Sequence, residues 1–243
     1  MKLNSQTNMW ESKYWHPAIT TDAVVFGFDG EQLNVLLIKR GLEPFANCWA
    51  LPGGFIKDED ENAAACVYRE LHEETNVDNI YLEEFKTFSQ KGRDPRERVI
   101  TIAYFALVVK DKYQIKGGDD AKMAQWFPAN ELPELAFDHK EIIELALERL
   151  RQRIHFEPIG FHLLDKEFTM PQLQNIYIAI LNPPADDLKL RDRRNFPKKM
   201  LKLGYIKDTG KKVTGNPYRS PRLYTFDEKA YEEAKKLGMR VEF

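Results

Sequence analysis

Residues 54–77 read GFIKDEDENAAACVYRELHEETNV, the most informative stretch of the chain. Glu70, Glu73 and Glu74 stand at positions i, i+3 and i+4, which share one face of a helix. Like charges at this spacing repel one another, and a hard divalent cation such as Mg²⁺ or Mn²⁺, which prefers oxygen ligands, would relieve the repulsion. At its start, Gly53 and Gly54 allow a backbone to approach a phosphate closely. The stretch therefore predicts metal-assisted chemistry on a phosphorylated ligand.

The composition favours a soluble cytoplasmic protein of one large or two ordinary domains. The chain has 243 residues, of which 43% are hydrophobic and 30% charged. Its longest apolar run, residues 102–109, is far shorter than the ~20 residues that cross a bilayer, so we expect no membrane partner. Cys48 and Cys66 are the only cysteines, which excludes a disulfide framework and favours a reducing compartment.

The charge is divided unevenly along the chain. Residues 156–243 contain 17 Lys and Arg against 12 Asp and Glu, whereas the remainder contains 19 against 26. An acidic N-terminal part and a basic C-terminal part indicate two modules with different partners. We therefore expect a first domain over residues 1–155 and a second over residues 156–243.

The hydrophobic pattern of the first module alternates between strands and helices. Asn62 is a suitable N-cap for a helix whose apolar stripe would be Ala64, Val67 and Leu71. Asp138 and Glu141 match a capping box at the start of a second helix. The predicted elements are a hairpin over 23–28 and 34–40, a glycine-rich loop over 49–54, helices over 62–75 and 138–153, and strands over 80–89, 99–109 and 125–127.

The second module has the order of a winged helix-turn-helix. Thr169 and Pro171 open a helix that continues to Leu181, and Gly204 ends a basic helix that begins at Asp192. Two strands follow, and a final helix begins at Asp227. The predicted strands cover residues 205–209 and 222–226.

The basic residues of this module are concentrated on the predicted basic helix and on the predicted wing, which favours binding to double-stranded DNA. RNA binding, or a solvated basic surface without a nucleic-acid partner, are the alternatives. The candidate DNA-binding residues are Arg191, Arg193, Arg194, Asn195, Lys198, Lys199, Lys202, Arg219 and Arg222.

The stretch 54–77 closely resembles the Nudix box. The run from Arg69 to Glu74 matches its core without a gap, and the spacing from Glu61 to that core also agrees. Two departures occur: six residues rather than five separate Gly54 from Glu61, and Asn76 replaces the second glycine. Asparagine tolerates the left-handed conformation better than most residues, so the second change is mild.

This resemblance implies a Nudix fold, a mixed β-sheet between helices, followed here by the small winged helix. It also implies that Arg69, Glu70, Glu73 and Glu74 are catalytic. The metal ligands would be Glu70, Glu73 and Glu74, with Glu61 as a weaker candidate, and Arg69 would orient a carboxylate by bidentate pairing. The alternative is an ordinary solvated acidic helix face.

Further motifs resemble the Nudix-related transcriptional regulators, the NrtR family. They are LPGGF at 51–55, RDPRERV at 93–99, AFDH at 136–139, FTMPQLQ at 168–174 and RNF at 194–196. The resemblance implies a homodimer on palindromic operators, with ADP-ribose as the effector that releases a repressor from genes of NAD metabolism. Some relatives are linked instead to sugar catabolism, with pentoses as effectors.

Three functions follow as hypotheses. The first is a DNA-binding repressor that senses ADP-ribose through Mg²⁺ or Mn²⁺, with slow hydrolysis of ADP-ribose as an additional activity. The second is a plain Mg²⁺-dependent Nudix pyrophosphohydrolase, and the third is a pentose sensor. Under each hypothesis, the ligand would lie near Gly53, Gly54, Arg40 and Trp49. The histidines His139 and His162 are predicted to be structural rather than catalytic.

Overall fold

A computed structural model of the chain describes residues 2–4, 9–11, 13–57, 62–118, 121–214 and 220–238. The first part contains β1 (Lys2–Asn4), β2 (Met9–Glu11), β3 (Ala18–Phe28), β4 (Leu33–Arg40), β5 (Trp49–Ala50), β6 (Gly53–Phe55), α1 (Ala63–Thr75), β7 (Glu83–Phe88), β8 (Val99–Val109), β9 (Ala121–Pro128) and α2 (His139–Arg153). The second part contains α3 (Met170–Leu181), α4 (Leu188–Arg191), α5 (Asn195–Lys202), β10 (Ile206–Lys212), β11 (Arg222–Phe226) and α6 (Glu228–Lys236). Short 3₁₀ helices occur at Lys110–Lys112 and Ile159–Leu163.

Strand β3 lies at the centre of a mixed sheet. It pairs in parallel with β8 along its whole length and antiparallel with β4 and β6. Strands β5 and β9 join β4, and β7 joins β8. Residues 20–28 are all buried, because a strand with neighbours on both sides and helices on both faces has little contact with solvent.

Alternate residues of β3 supply the cores on the two faces of the sheet. Val24 and Phe26 belong to the core that contains α2, whereas Ala23 and Val25 belong to the core that contains α1. This period of two is the geometry of a strand. The predicted mixed sheet between helices is confirmed.

Helix α1 forms where the sequence places it. The side chain of Asn62 accepts a hydrogen bond from the Ala65 N–H at 3.0 Å, as an N-cap should. Asn76 ends the helix in the left-handed region, with φ of 58°. The predicted apolar stripe is corrected in one position, because Ala64 is exposed and Ala63 packs against the core instead.

Two other predictions for the first part also need correction. The loop over 49–54 contains the short strands β5 and β6, which pair with β4 and β3. At the start of α2, the Asp138 carboxylate accepts two hydrogen bonds from Arg93, at 2.9 Å and 2.7 Å, rather than forming the expected capping box. The helix itself extends from His139 to Arg153, as predicted.

The winged helix-turn-helix order is confirmed. Thr169 and Gln172 form a capping box at the start of α3, and β10 pairs antiparallel with β11 as the wing. The sequence missed α4, and α5 is shorter than predicted because Asp192 precedes it and accepts backbone hydrogen bonds from Arg194 and Asn195. Asp227 caps the final helix through the Ala230 N–H.

The two parts share one continuous apolar core. It includes Phe105 of the sheet, Ile142 of α2, Leu173 of α3 and Phe196 of α5. The predicted division at residues 155 and 156 falls in the connection between α2 and α3 and stays a prediction. Among the described residues, every helix is too short or too polar to cross a membrane.

Candidate functional site

A cleft of about 680 Å³ opens between the end of the sheet, α1 and the start of α2. Carboxylates and cationic groups face each other in it, with aromatic rings between them. Its lining includes Asp22, Arg40, Gly53, Gly54, Phe55, Glu70, Glu73, Glu74, Arg93, Arg96, Phe137 and His139.

The glycine pair is required by close contacts on both sides. A Cβ on Gly53 would lie 2.1 Å from the Thr21 carbonyl oxygen, and one on Gly54 would lie 2.4 Å from the Glu70 carboxylate. Neither distance is possible for a real side chain. The Glu70 carboxylate therefore lies directly against the backbone of β6, at the position where a ligand phosphate was predicted to approach.

Arg69 connects the carboxylates of α1 to β6. Its NH1 group donates to Glu70 Oε1 at 2.7 Å and to Glu73 Oε2 at 3.0 Å, and its NH2 group donates to the Phe55 carbonyl at 3.3 Å. Among the described residues, one nitrogen of Arg69 therefore bridges two carboxylates, and its predicted bidentate pairing stays a prediction.

Glu74 is the most deeply buried of the three glutamates. Burial raises its pKa to about 8, and the nearby Glu70 and Asp22 carboxylates add to the increase. The Gly53 N–H, which donates to Glu74 Oε2 at 2.9 Å, and the charge of Arg40 act in the opposite direction. A bound divalent cation would favour the ionised form of this carboxyl group.

The donor set fits a hard divalent cation, because it consists of carboxylate oxygens on one wall of the cleft. Among the described residues, no three Asp, Glu, His or Cys side chains are grouped closely enough to hold a metal ion. Glu61 and the extra loop residue lie outside the described residues. The predicted metal ligands Glu70, Glu73 and Glu74 are therefore neighbours on one wall of the cleft rather than a completed coordination shell.

The two other predicted ligand-binding side chains lie on opposite faces of the sheet. Arg40 lines the cleft, donates to the Pro44 carbonyl and has its guanidinium 4.9 Å from the centre of the Phe137 ring. Trp49 pairs with Lys39, which alternates with Arg40 and so faces away from the cleft. The Trp49 ring packs on Phe127, away from the residues that line the cleft.

Sequence reasoning missed a polar cluster formed by Asp22, Arg93 and Asp138 at the cleft wall. Arg93 joins the two aspartates, with NH2 at 3.6 Å from Asp22 and 2.7 Å from Asp138. His139 has the predicted structural role, because its Nδ1 accepts the Leu51 N–H at 2.8 Å and burial lowers its pKa. Arg93 and Asp138 stand in the motifs quoted above, but nothing in the sequence indicates that these motifs meet.

The basic surface of the second part is centred on α5. Phe196 and Met200 face the core, which leaves Arg193, Arg194, Asn195, Lys198 and Lys202 exposed and Lys199 half-buried.

The other predicted DNA-binding residues differ in their surroundings. Arg191 donates to the Pro183 and Pro184 carbonyls and so supports the connection between α3 and α4. Arg222 is exposed on the wing and ion-paired with Asp208 at 2.8 Å. Arg219 lies outside the described residues.

Comparison with known proteins matches each of the two parts to a domain family. Residues 16–146 match the NUDIX domain family, and residues 160–226 match the NrtR DNA-binding winged helix domain. A protein of Acinetobacter baylyi named ADPR responsive transcriptional repressor NtrR is 34% identical over 91% of this chain and 87% of its own length. The chain belongs to the NrtR family.

Solved structures of NrtR from Shewanella oneidensis match in fold. The structure with a 27mer DNA is 31% identical, with a TM-score of 0.64, and covers 92% of this chain and 97% of its own. Its NUDIX domain with ADP ribose is 36% identical, with a TM-score of 0.54, over 60% of this chain and 96% of its own. The ADP-ribose pyrophosphatase of Methanocaldococcus jannaschii is 40% identical over 54% of this chain and 73% of its own length.

Glu74 should make the stability of the metal-free protein depend on pH. The folded pKa of about 8 lies above the ordinary value of 4.5, so the folded state binds a proton that the unfolded state releases, and stability falls as the pH rises between these values. The Glu74→Gln variant lacks this loss. The unfolding free energy is measured by urea denaturation in EDTA at pH 5 and at pH 9. Between these two pH values, we expect the unfolding free energy of wild type to fall by about 2 kcal/mol or more relative to that of the variant. Parallel pH profiles would contradict the environment described for Glu74.

Proposed function

We propose that this protein is a transcriptional repressor that ADP-ribose releases from DNA. One observation carries the proposal: a single chain joins a glycine-and-carboxylate cleft to a winged helix with an exposed basic α5. The resemblance to the ADPR-responsive repressor of Acinetobacter baylyi, which extends over both parts, supports this pairing.

In the cleft, the ligand's diphosphate would lie beside Gly53 and Gly54 and would reach the Glu70 carboxylate, which lies against Gly54, through a bound cation. Glu70, Glu73 and Glu74, with Glu61, would hold Mg²⁺ or Mn²⁺, which neutralises the bridging phosphates when bound. Arg69 would keep the first two carboxylates in position through its two hydrogen bonds. Arg40 would contribute positive charge at the edge of the site.

On the DNA side, α5 would enter the major groove and the wing would contact the backbone. Lys198, Lys199 and Lys202 would neutralise phosphates, while Arg193, Arg194 and Asn195 stand where α5 begins, the usual position of base-reading side chains. Arg219 and Arg222 would act from the wing, and Arg191 would position the connection before α5. A homodimer in the cytoplasm would place two such modules on a palindromic operator.

For ADP-ribose to act as an inducer, it must bind more tightly to the form that does not bind DNA. A ligand with equal affinity for both forms would leave the equilibrium unchanged, however tightly it bound. The fold is compatible with this requirement, since α2 runs from the cleft to the winged helix and Arg151 of α2 donates to the Ile180 carbonyl of α3 at 3.0 Å.

The first test measures DNA release. A duplex selected by the protein from a random-sequence pool is bound by the full-length protein, and affinity is measured by fluorescence anisotropy with and without saturating ADP-ribose and Mg²⁺. We expect ADP-ribose to weaken DNA binding by about 5-fold to 150-fold, the usual range of coupling between two sites. Glu73→Gln should reduce the response, whereas His72→Gln, an exposed change on the same helix, should not.

Undiminished DNA binding at saturating ADP-ribose would exclude it as the inducer. Release by a pentose alone, with no response to ADP-ribose, would identify the protein as a sugar sensor.

The second test concerns the basic helix. Lys198→Ala and Lys202→Ala each remove one exposed charge from α5, so each should lower DNA affinity and make the slope of log affinity against log salt shallower by about 1. Lys229→Ala removes an exposed charge of the same domain from α6 and serves as the matched control. If all three variants and wild type gave the same slope of log affinity against log salt, DNA would bind to a surface other than α5.

The hydrolase hypothesis keeps support from one specific observation, the 40% identity of the first part to an ADP-ribose pyrophosphatase. A hydrolase would add water across the diphosphate of ADP-ribose and release AMP and ribose 5-phosphate. A plain enzyme would do so without any effect of intact ADP-ribose on DNA affinity. A repressor with slow turnover would release DNA first and regain it as its inducer is consumed.

A further inference from the structure

A buried arginine joins the cleft to the first residue before α2. The Arg93 side chain is only 5% exposed, yet it lines the cleft. Its Nε and NH2 groups donate to the two oxygens of Asp138 at 2.9 Å and 2.7 Å, and NH2 lies 3.6 Å from Asp22. This paired geometry is the strongest that a guanidinium makes with a carboxylate.

One nitrogen of Arg93, NH1, takes no part in these contacts, and the residue lines the cleft. A guanidinium carries five N–H donors, and within the described residues those of NH1 have no hydrogen-bond acceptor. An anion that enters the cleft and reaches NH1 gains a charge-assisted hydrogen bond there. The cleft also contains Glu70, Glu73 and Glu74, which would repel an anion, so a cation beside them has a specific use.

The partner of Arg93 controls the start of a long helix. Asp138 directly precedes α2, and His139, the first residue of α2, accepts the Leu51 N–H. Both contacts come from segments that line the cleft. Further along α2, Arg151 donates to the Ile180 carbonyl of α3, and the apolar face of α2 shares its core with α3 and α5.

We infer that Arg93 is a specificity-determining residue that binds an anionic group of the ligand and transmits occupancy to the DNA-binding domain through Asp138 and α2. A phosphate at NH1 attracts the guanidinium and draws its Nε and NH2 groups away from Asp138 and Asp22. The start of α2 then loses its strongest charged partner and shifts, and α3 follows because α2 packs against it. This inference rests on the proposed function and names the residues that would carry its regulation.

The test separates ligand binding from coupling in the full-length protein. ADP-ribose affinity is measured by calorimetry in Mg²⁺ without DNA, and the coupling ratio is the DNA affinity without ADP-ribose divided by that with saturating ADP-ribose. Arg93→Lys keeps the charge but loses the planar fork, so it should weaken ADP-ribose binding about tenfold or more. Asp138→Asn should leave that affinity within about threefold while the ratio falls to about 2 or less.

Glu144→Gln, an exposed change on the same helix, is the matched control and should leave both quantities at wild-type values. Melting curves check that each variant folds. If Asp138→Asn does not fold, Asp138→Ser is used in its place, because serine offers an N-cap hydroxyl without the charge.

Two results would overturn this inference alone: unchanged ADP-ribose affinity in Arg93→Lys, or a wild-type coupling ratio in Asp138→Asn. A ratio of one in the wild-type protein would overturn the proposed function, and this inference with it.

Discussion

The site depends on the crowding of carboxylates against a backbone that has no side chains. Glu70 lies where a Cβ on Gly54 would be, and Glu74 accepts the Gly53 N–H from a buried position. Burial raises the pKa of Glu74 to about 8, and Arg69 lies between Glu70 and Glu73 and donates to both carboxylates. Under the proposed function, a divalent cation bound together with an anionic ligand would relieve the remaining repulsion.

The same arrangement is compatible with recognition of a diphosphate as well as with its hydrolysis. Holding a diphosphate requires the metal ligands and the glycine pair, whereas hydrolysis additionally requires an activated water in line with the phosphorus. Asn76 adopts the left-handed conformation at the end of α1, so the replacement of glycine there leaves the helix end intact. In the described residues, the glycine pair and the three glutamates Glu70, Glu73 and Glu74 line one cleft.

Local signals in the sequence predicted the elements well. Asn62, Thr169 and Asp227 fixed three helix starts through side chains that cap them, and the spacing of Glu70, Glu73 and Glu74 placed all three at one cleft. The order of elements in the basic module predicted the winged helix. These features depend on residues a few positions apart, which is the range over which a sequence pattern constrains geometry.

What failed depended on contacts between distant segments. The Arg93–Asp138 pair joins residues 45 positions apart, and it took Asp138 from the capping box that local reasoning expected. The face of the sheet on which Trp49 lies is set by its pairing with Lys39 across a loop, which the sequence does not indicate. Helix α4, with four residues, is too short to show a period, and Arg191 at its end supports a chain turn.

The most direct test of this account is calorimetric titration of ADP-ribose into the full-length protein, first with Mg²⁺ and then in EDTA. If the carboxylates of α1 hold the diphosphate through a cation, affinity should fall about tenfold or more when the metal is removed. Equal affinity under the two conditions would show that the ligand is bound without the glutamates' cation, and it would contradict the central role given to them here.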